Sequence, residues 1–130
     1  EQNNYLEFIN FFTEKETKLI NCIHPSSIIS KKANIGNGNL ILAKTVIGPK
    51  VQIGNFCKIL TGTTIAHHSL LKNNVTLSDG CIIGGNVKIF DNSYLGLGVK
   101  VNKRVKIGKS CKIISGKTVI DNLQDGEILK

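Results

Sequence analysis

From Ile29 onward the chain is aliphatic at every sixth position. The series runs Ile29, Ile35, Ile41, Ile47, Ile53, Ile59, Ile65, Leu71, Leu77, Ile83, Ile89, Leu95, Val101, Ile107, Ile113 and Val119, with no insertion. Four residues after each member comes a second position that is nearly always small or β-branched, as at Ala33, Val51, Cys57, Thr63, Ser69, Val75, Cys81, Val87 and Ser93. An α-helix buries a stripe that recurs every 3.6 residues, so a period of six excludes it. One large and one small inward residue per six fits short strands joined by corners and wound into a solenoid. Gly62, Gly80, Gly98 and Gly116 are each 18 apart, which sets three hexads to a triangular turn. A glycine column is expected where every turn needs a backbone conformation that side chains resist.

The ends depart from the repeat. Over residues 1–28, Tyr5, Phe8, Ile9 and Phe12 share one face of an expected short helix, with Asn4 as N-cap and Glu7 at the third helical position. A short strand is expected over 17–23, and Ile23-His24-Pro25 leads into the first turn. This segment reads as a cap on the open end of the solenoid, or the remnant of a preceding domain; uncovered terminal strands would template other chains. Residues 29–130 form the repeat domain, and 121–130 leave the pattern and turn polar. The fold class expected is all-β: a solenoid of hexapeptide repeats with a short N-terminal helical cap.

Composition narrows the picture. The chain has no Met or Trp and only five Phe and two Tyr, so its core must be aliphatic and narrow. The net charge of +8 attracts phosphates, nucleic acid or anionic surfaces. The lysines are dispersed, no run of five basic residues occurs and few aromatics interleave, which argues against nucleic acid. No apolar stretch approaches the roughly 20 residues that span a bilayer, and no secretory signal is evident; the expected setting is the cytoplasm, away from membranes. The four cysteines lack CxxC spacing, so no zinc site is expected. Cys57, Cys81 and Cys111 occupy the small inward site and read as buried small hydrophobes. Cys57 and Cys111 are three turns apart, roughly 14 Å at about 4.8 Å per turn, too far for a disulfide.

Candidate chemistry centres on the pair His67-His68, at the outward third and fourth positions of its hexad; His24 lies in the lead-in and reads as structural. At the 18-residue period, Gly85 and then Lys103 stack over His67, while Asn86 and then Arg104 stack over His68. A histidine facing a position without a side chain suits acyl transfer. The imidazole can take a proton from an attacking hydroxyl or amine. A backbone N–H, with Gly85 the candidate, can hold the oxyanion. Lys103, Arg104, Lys106 and Lys109 are candidates for the phosphates of coenzyme A. Exposed histidines and wall lysines are also ordinary surface residues, and that reading stands beside the chemical one.

The [LIV]-G-x-x-x-x hexads resemble those of the hexapeptide-repeat acyltransferases, which implies a left-handed parallel β-helix. Three stretches are similar to one branch, the bacterial sialic acid O-acetyltransferases and nucleotide-amino-sugar N-acetyltransferases: Ile23-His24-Pro25-Ser26, Thr61-Gly62-Thr63-Thr64-Ile65-Ala66-His67-His68 and Gly84-Gly85-Asn86-Val87-Lys88-Ile89. The likeness covers about residues 22–128. It implies acetyl transfer from acetyl-CoA to a sugar or nucleotide sugar, in a homotrimer with active sites between subunits and no metal. It places the general base on His67, its partner on His68, the thioester donor on Gly85 and backbone contacts to the pantetheine arm near Gly96 and Leu97. His68 stands where the family carries a carboxylate. Thr76 and Leu60 stand where it often has a second histidine and an asparagine. Loss of the acidic partner keeps a second reading open, a non-catalytic trimeric scaffold or sugar-binding module. A zinc hydrase would need histidines converging on one metal, which adjacent His67 and His68 do not offer.

Overall fold

In a computed structural model, which describes Glu7, Asn10, Phe11, Glu14, Lys15 and residues 18–130, the six-residue series closes a narrow aliphatic core. Every member from Ile41 to Val119 is at most 4% exposed. Ile29 and Ile35, in the first turn, are only partly buried against that core. Each buried residue is the second of a two-residue strand whose first residue points out. Lys58 beside Ile59 and Lys88 beside Ile89 are examples.

The strands stack into three parallel sheets, the faces of a triangular prism. The first face is β1 (Cys22–Ile23), β4 (Leu40–Ile41), β7 (Lys58–Ile59), β10 (Thr76–Leu77), β13 (Tyr94–Leu95), β16 (Lys112–Ile113) and β18 (Ile128–Leu129). The second is β2 (Ile28–Ile29), β5 (Val46–Ile47), β8 (Thr64–Ile65), β11 (Ile82–Ile83), β14 (Lys100–Val101) and β17 (Thr118–Val119). The third is β3 (Asn34–Ile35), β6 (Gln52–Ile53), β9 (Leu70–Leu71), β12 (Lys88–Ile89) and β15 (Lys106–Ile107). Registers such as Ile47↔Ile65 and Ile65↔Ile83 repeat every 18 residues. The fold is a left-handed parallel β-helix of about six turns.

The ends differ in part from expectation. Glu7, Asn10, Phe11 and Glu14 are helical; the apolar face expected at Tyr5, Phe8, Ile9 and Phe12, and the cap at Asn4, lie outside the described residues. Of the strand expected over 17–23, Cys22–Ile23 forms β1, while 18–21 have no regular structure. At the other end the solenoid does not stop at Asp121. Leu123 bridges to Ile107, and β18 pairs with β16 with Lys112 opposite Ile128, a register of 16 in place of 18. Two residues have dropped out of the last turn, which hid it from the six-residue count.

The glycine column lies on the edge between the first and second faces, with φ of +71° at Gly62, +69° at Gly80, +63° at Gly98 and +77° at Gly116. The same left-handed corner recurs on the other two edges with side chains present, at Lys50, His68, Asn86 and Arg104 on one and Phe56, Asn74, Asn92 and Ser110 on the other. An L-residue there costs roughly 1–2 kcal/mol, so the ladder imposes the corner and glycine only relieves it.

The small inward residues do more than fill space. Several donate to the carbonyl 15 residues on: Thr63 Oγ1 to Ser78 at 3.2 Å, Ser69 Oγ to Gly84 at 2.8 Å and Ser93 Oγ to Gly108 at 2.7 Å. The thiols behave alike, Cys57 Sγ donating to Lys72 at 3.0 Å and Cys81 Sγ to Gly96 at 3.3 Å. Among the described residues no buried side-chain N or O lacks a partner. All four cysteines are free, and only Cys22 is exposed. Burial pushes the Cys57 and Cys81 thiols up to about 11 and raises that of Cys111, against the pull of nearby backbone N–H groups. A thiol held protonated and buried does not attack disulfides. A disulfide reagent at pH 8 should therefore titrate one thiol per native chain and four after unfolding. Rapid reaction of more than one native thiol would show the turns to be open.

Candidate active site

The edge between the second and third faces carries the histidine pair. His67 and His68 follow β8, on the corner before β9, and both are exposed. The corner is held from below and above: the His68 N–H donates to Pro49 O at 3.1 Å, and the Asn86 N–H donates to His67 O at 3.0 Å. The two rings meet edge to face, centroids 5.2 Å apart, and Nδ1 of His67 lies 3.0 Å from Nδ1 of His68. One neutral ring must donate and the other accept. The donor ring then keeps a free lone pair on its Nε2, while the acceptor ring carries its proton on Nε2.

One turn above, Gly85 faces the His67 ring. A Cβ placed on Gly85 would lie 2.8 Å from both Cε1 and Nε2 of His67, so the imidazole occupies the space a side chain would fill. The neighbouring glycine differs in role. The Gly84 N–H is already used in the ladder, donating to Val101 O at 2.9 Å. The Gly85 N–H meets no acceptor among the described residues, while its carbonyl accepts from the Arg104 N–H at 2.9 Å. Gly-Gly thus offers one free donor, and it is the one beside His67. Ser69, a buried residue that the sequence marked only as small, fixes this corner: its hydroxyl donates to Gly84 O and accepts the Val87 N–H at 3.2 Å.

Lys103 and Arg104 stand on the same edge, one turn above Gly85, both exposed. Lys106 lies on the third face with its ammonium 5.1 Å from the Phe90 ring centroid, and Lys109 belongs to the edge between the third and first faces. Gly96 and Leu97 are on the edge between the first and second faces, one face away from His67 within the chain. Their N–H groups are taken, Gly96 donating to Ile113 O at 2.9 Å and Leu97 to Ser115 Oγ at 3.1 Å. One chain therefore gathers His67, His68, Gly85, Lys103 and Arg104, and leaves Gly96 and Leu97 apart. Among the described residues no group of three or more His, Cys, Asp or Glu is placed to hold a metal, and no helix is long and apolar enough to cross a membrane.

The fit between His67 and Gly85 makes a specific expectation. Gly85 does not have a positive φ, so Gly85→Ala introduces no backbone strain. Its methyl group must push the His67 ring aside. The melting temperature should change little, while the ring resonances of His67 shift and its pairing with His68 is lost. Unchanged His67 resonances in that variant would contradict the geometry.

Comparison with known proteins places this edge in context. No curated protein matches the sequence. Among solved structures, the acetyltransferase domain of PglB from Neisseria gonorrhoeae superposes with a TM-score of 0.91 at 25% identity, over 94% of this chain and 60% of that one, both alone and in complex with acetyl coenzyme A. A histidine variant of GDP-perosamine N-acetyl transferase from Caulobacter crescentus, in complex with CoA and GDP-perosamine, gives a TM-score of 0.81 at 23% identity, over 95% and 59% of the two chains. WeeI from Acinetobacter baumannii gives 0.85 at 20% identity, over 95% and 61%. At these identities the last two show the shared fold. The chain spans about 60% of the length of these neighbours. The neighbours include the hexapeptide-repeat acetyltransferases that the sequence resembles. The family model described as "GMPPB C-terminal domain" matches residues 20–129, nearly the whole solenoid, and the chain belongs to that family.

Proposed function

We propose that this chain transfers an acetyl group from acetyl-CoA to a hydroxyl or amine of a sugar or nucleotide sugar, with His67 as general base. The observation that carries the reading is the His67 ring packed on a glycine whose N–H meets no acceptor among the described residues. In the proposed reaction, Nε2 of His67 takes the proton from the acceptor as its oxygen or nitrogen attacks the thioester carbonyl. The carbonyl oxygen becomes an oxyanion and accepts from the Gly85 N–H, a donor already in place before the charge develops. Collapse breaks the C–S bond, and the imidazolium returns its proton to the departing thiolate. His68 acts as a positioning residue. Its Nδ1 accepts the Nδ1–H of His67, which selects the tautomer with a lone pair on Nε2 and keeps a partner for the cation. A carboxylate would do the same with added charge stabilisation; a neutral imidazole supplies the orientation alone.

Lys103 and Arg104 are assigned to the coenzyme A phosphates. A homotrimer follows from the same reading, because Gly96 and Leu97 lie on a different edge from His67 and two adjoining chains can bring the edges together. Support for acetyl transfer also comes from the neighbours, among them an acetyltransferase domain in complex with acetyl coenzyme A. The replacement of a carboxylate by His68 favours the second reading, a solenoid that scaffolds or binds sugar without turnover.

Release of the free thiol from acetyl-CoA, followed over a panel of sugars, amino sugars and nucleotide sugars, separates the two. The first reading expects acceptor-dependent release, with kcat falling by about 10²–10⁴ in His67→Ala. Unchanged turnover in that variant removes His67 from the mechanism. No release with any acceptor selects the scaffold.

A further inference from the structure

The histidine edge continues below the pair, and there it carries charge that acetyl transfer does not use. From Arg104 downward its corner residues are Arg104, Asn86, His68, Lys50 and Lys32, one per turn. Beneath His68 lies a shallow open cleft of about 330 Å³, lined by Lys32, Asn34, Lys50, Val51, Gln52 and His68. Lys32 and Lys50 bring two ammonium groups to its lining. Asn34 and Gln52, opposite one another in the register of β3 and β6, contribute two carboxamides. The imidazole of His68 closes the upper side. Five of these six residues thus bring hydrogen-bond donors, and among the described residues no carboxylate lines the cleft.

No counter-charge is near in the sequence either. Between Glu16 and Asp79 the chain has seven lysines and not one Asp or Glu. Lys32 and Lys50 sit one turn apart, about 4.8 Å along the axis, with the Lys50 N–H donating to Lys32 O at 3.1 Å. Two like charges at that spacing repel unless an anion lies between them. A phosphate or diphosphate group supplies several acceptor oxygens and more than one negative charge, which matches these donors better than a single carboxylate.

Position decides which substrate brings it. Gly85, Lys103 and Arg104 lie above the histidines and are taken up by the donor in the acetyl-transfer reading. The cleft lies one and two turns below, on the opposite side of the pair. We infer that the cleft lined by Lys32, Lys50 and His68 is a phosphate-binding subsite for the acceptor, so that the acceptor is a phosphorylated sugar or a sugar joined to a nucleotide, not a free sugar. The assignment to the acceptor rests on the acetyl-transfer reading; the anion site itself does not.

Inorganic pyrophosphate is the probe. It is titrated into the full chain by calorimetry, with and without saturating coenzyme A, for the wild type, Lys32→Gln/Lys50→Gln and the control Lys58→Gln/Lys72→Gln. The control removes the same charge elsewhere on the solenoid. All four lysines are exposed, so both double variants should fold. The cleft variant should lose at least tenfold in pyrophosphate affinity, the control should lose less than twofold, and coenzyme A should leave pyrophosphate affinity unchanged. Coenzyme A affinity in the cleft variant should stay within twofold of wild type. Equal losses in the two variants would reduce the site to diffuse attraction by net charge and overturn it. Displacement of pyrophosphate by coenzyme A, or weaker coenzyme A binding in the cleft variant, would give the cleft to the donor and overturn the acceptor assignment. If coenzyme A binds nowhere, the acetyl-transfer reading falls with the acceptor assignment, and the pyrophosphate titrations still decide the anion site.

Discussion

The backbone ladder between one turn and the next governs this molecule. Each strand donates to the turn above, as in Ala66 N–H to Ile83 O and Lys72 N–H to Ile89 O, both at 2.9 Å. A parallel ladder holds only if every residue returns over its counterpart one turn earlier. That demand fixes the six-residue series, because an aliphatic residue displaced by one position would point outward and its polar neighbour inward. It also fixes the corners, which take a left-handed backbone whether they carry glycine or not. The small inward residues fit the same constraint. Their hydroxyl and thiol groups donate to carbonyls of the turn above, which ties adjacent corners together.

The same register builds the candidate site. A side chain on a corner is aligned with the residues 18 before and after it, so an edge becomes a column of functional groups at a spacing of about 4.8 Å. His67 meets Gly85 because of that alignment and not because of any loop. The frame beneath is rigid: Ser69 binds Gly84 and Val87, and His67 O and Gly85 O are both occupied by N–H groups of the next turn. The Gly85 N–H, like those of His67 below and Lys103 above, meets no acceptor among the described residues, and what sets Gly85 apart is the His67 ring packed on it. On the other two edges several of the corresponding N–H groups find side chains, such as Asn37 with Asn55 Oδ1 at 2.8 Å and Thr61 with Asp79 Oδ1 at 3.1 Å.

Much of this was readable in the sequence, since a strict period converts directly into spatial columns. The core, the three faces, the buried thiols and the stacking of Gly85 and Lys103 over His67 all follow from counting by six and by 18. What escaped depends on departures from the count or on side-chain direction. The last turn was missed because its register is 16. The hydrogen-bonding role of Ser69 was missed because a serine on the small inward site looks like space filling. Gly96 and Leu97 come from the resemblance alone, and counting by 18 puts them on a different edge from His67 within one chain. The pairing of His67 and His68 through Nδ1 depends on ring orientation, which no spacing rule supplies. The cleft under His68 needed the lysines at 32 and 50 to be seen as one column with Asn34 and Gln52 beside it.

The central claim is that the edge bearing His67 and Gly85 receives acetyl-CoA. Calorimetric titration of acetyl-CoA into the wild type and into Gly85→Val tests it most directly, since donor binding does not require the acceptor to be known. The account predicts micromolar binding to the wild type and its loss in Gly85→Val, where the new side chain both fills the donor position and displaces His67. Absence of binding at millimolar acetyl-CoA in a folded wild-type protein would contradict it, as would equal binding to the two proteins.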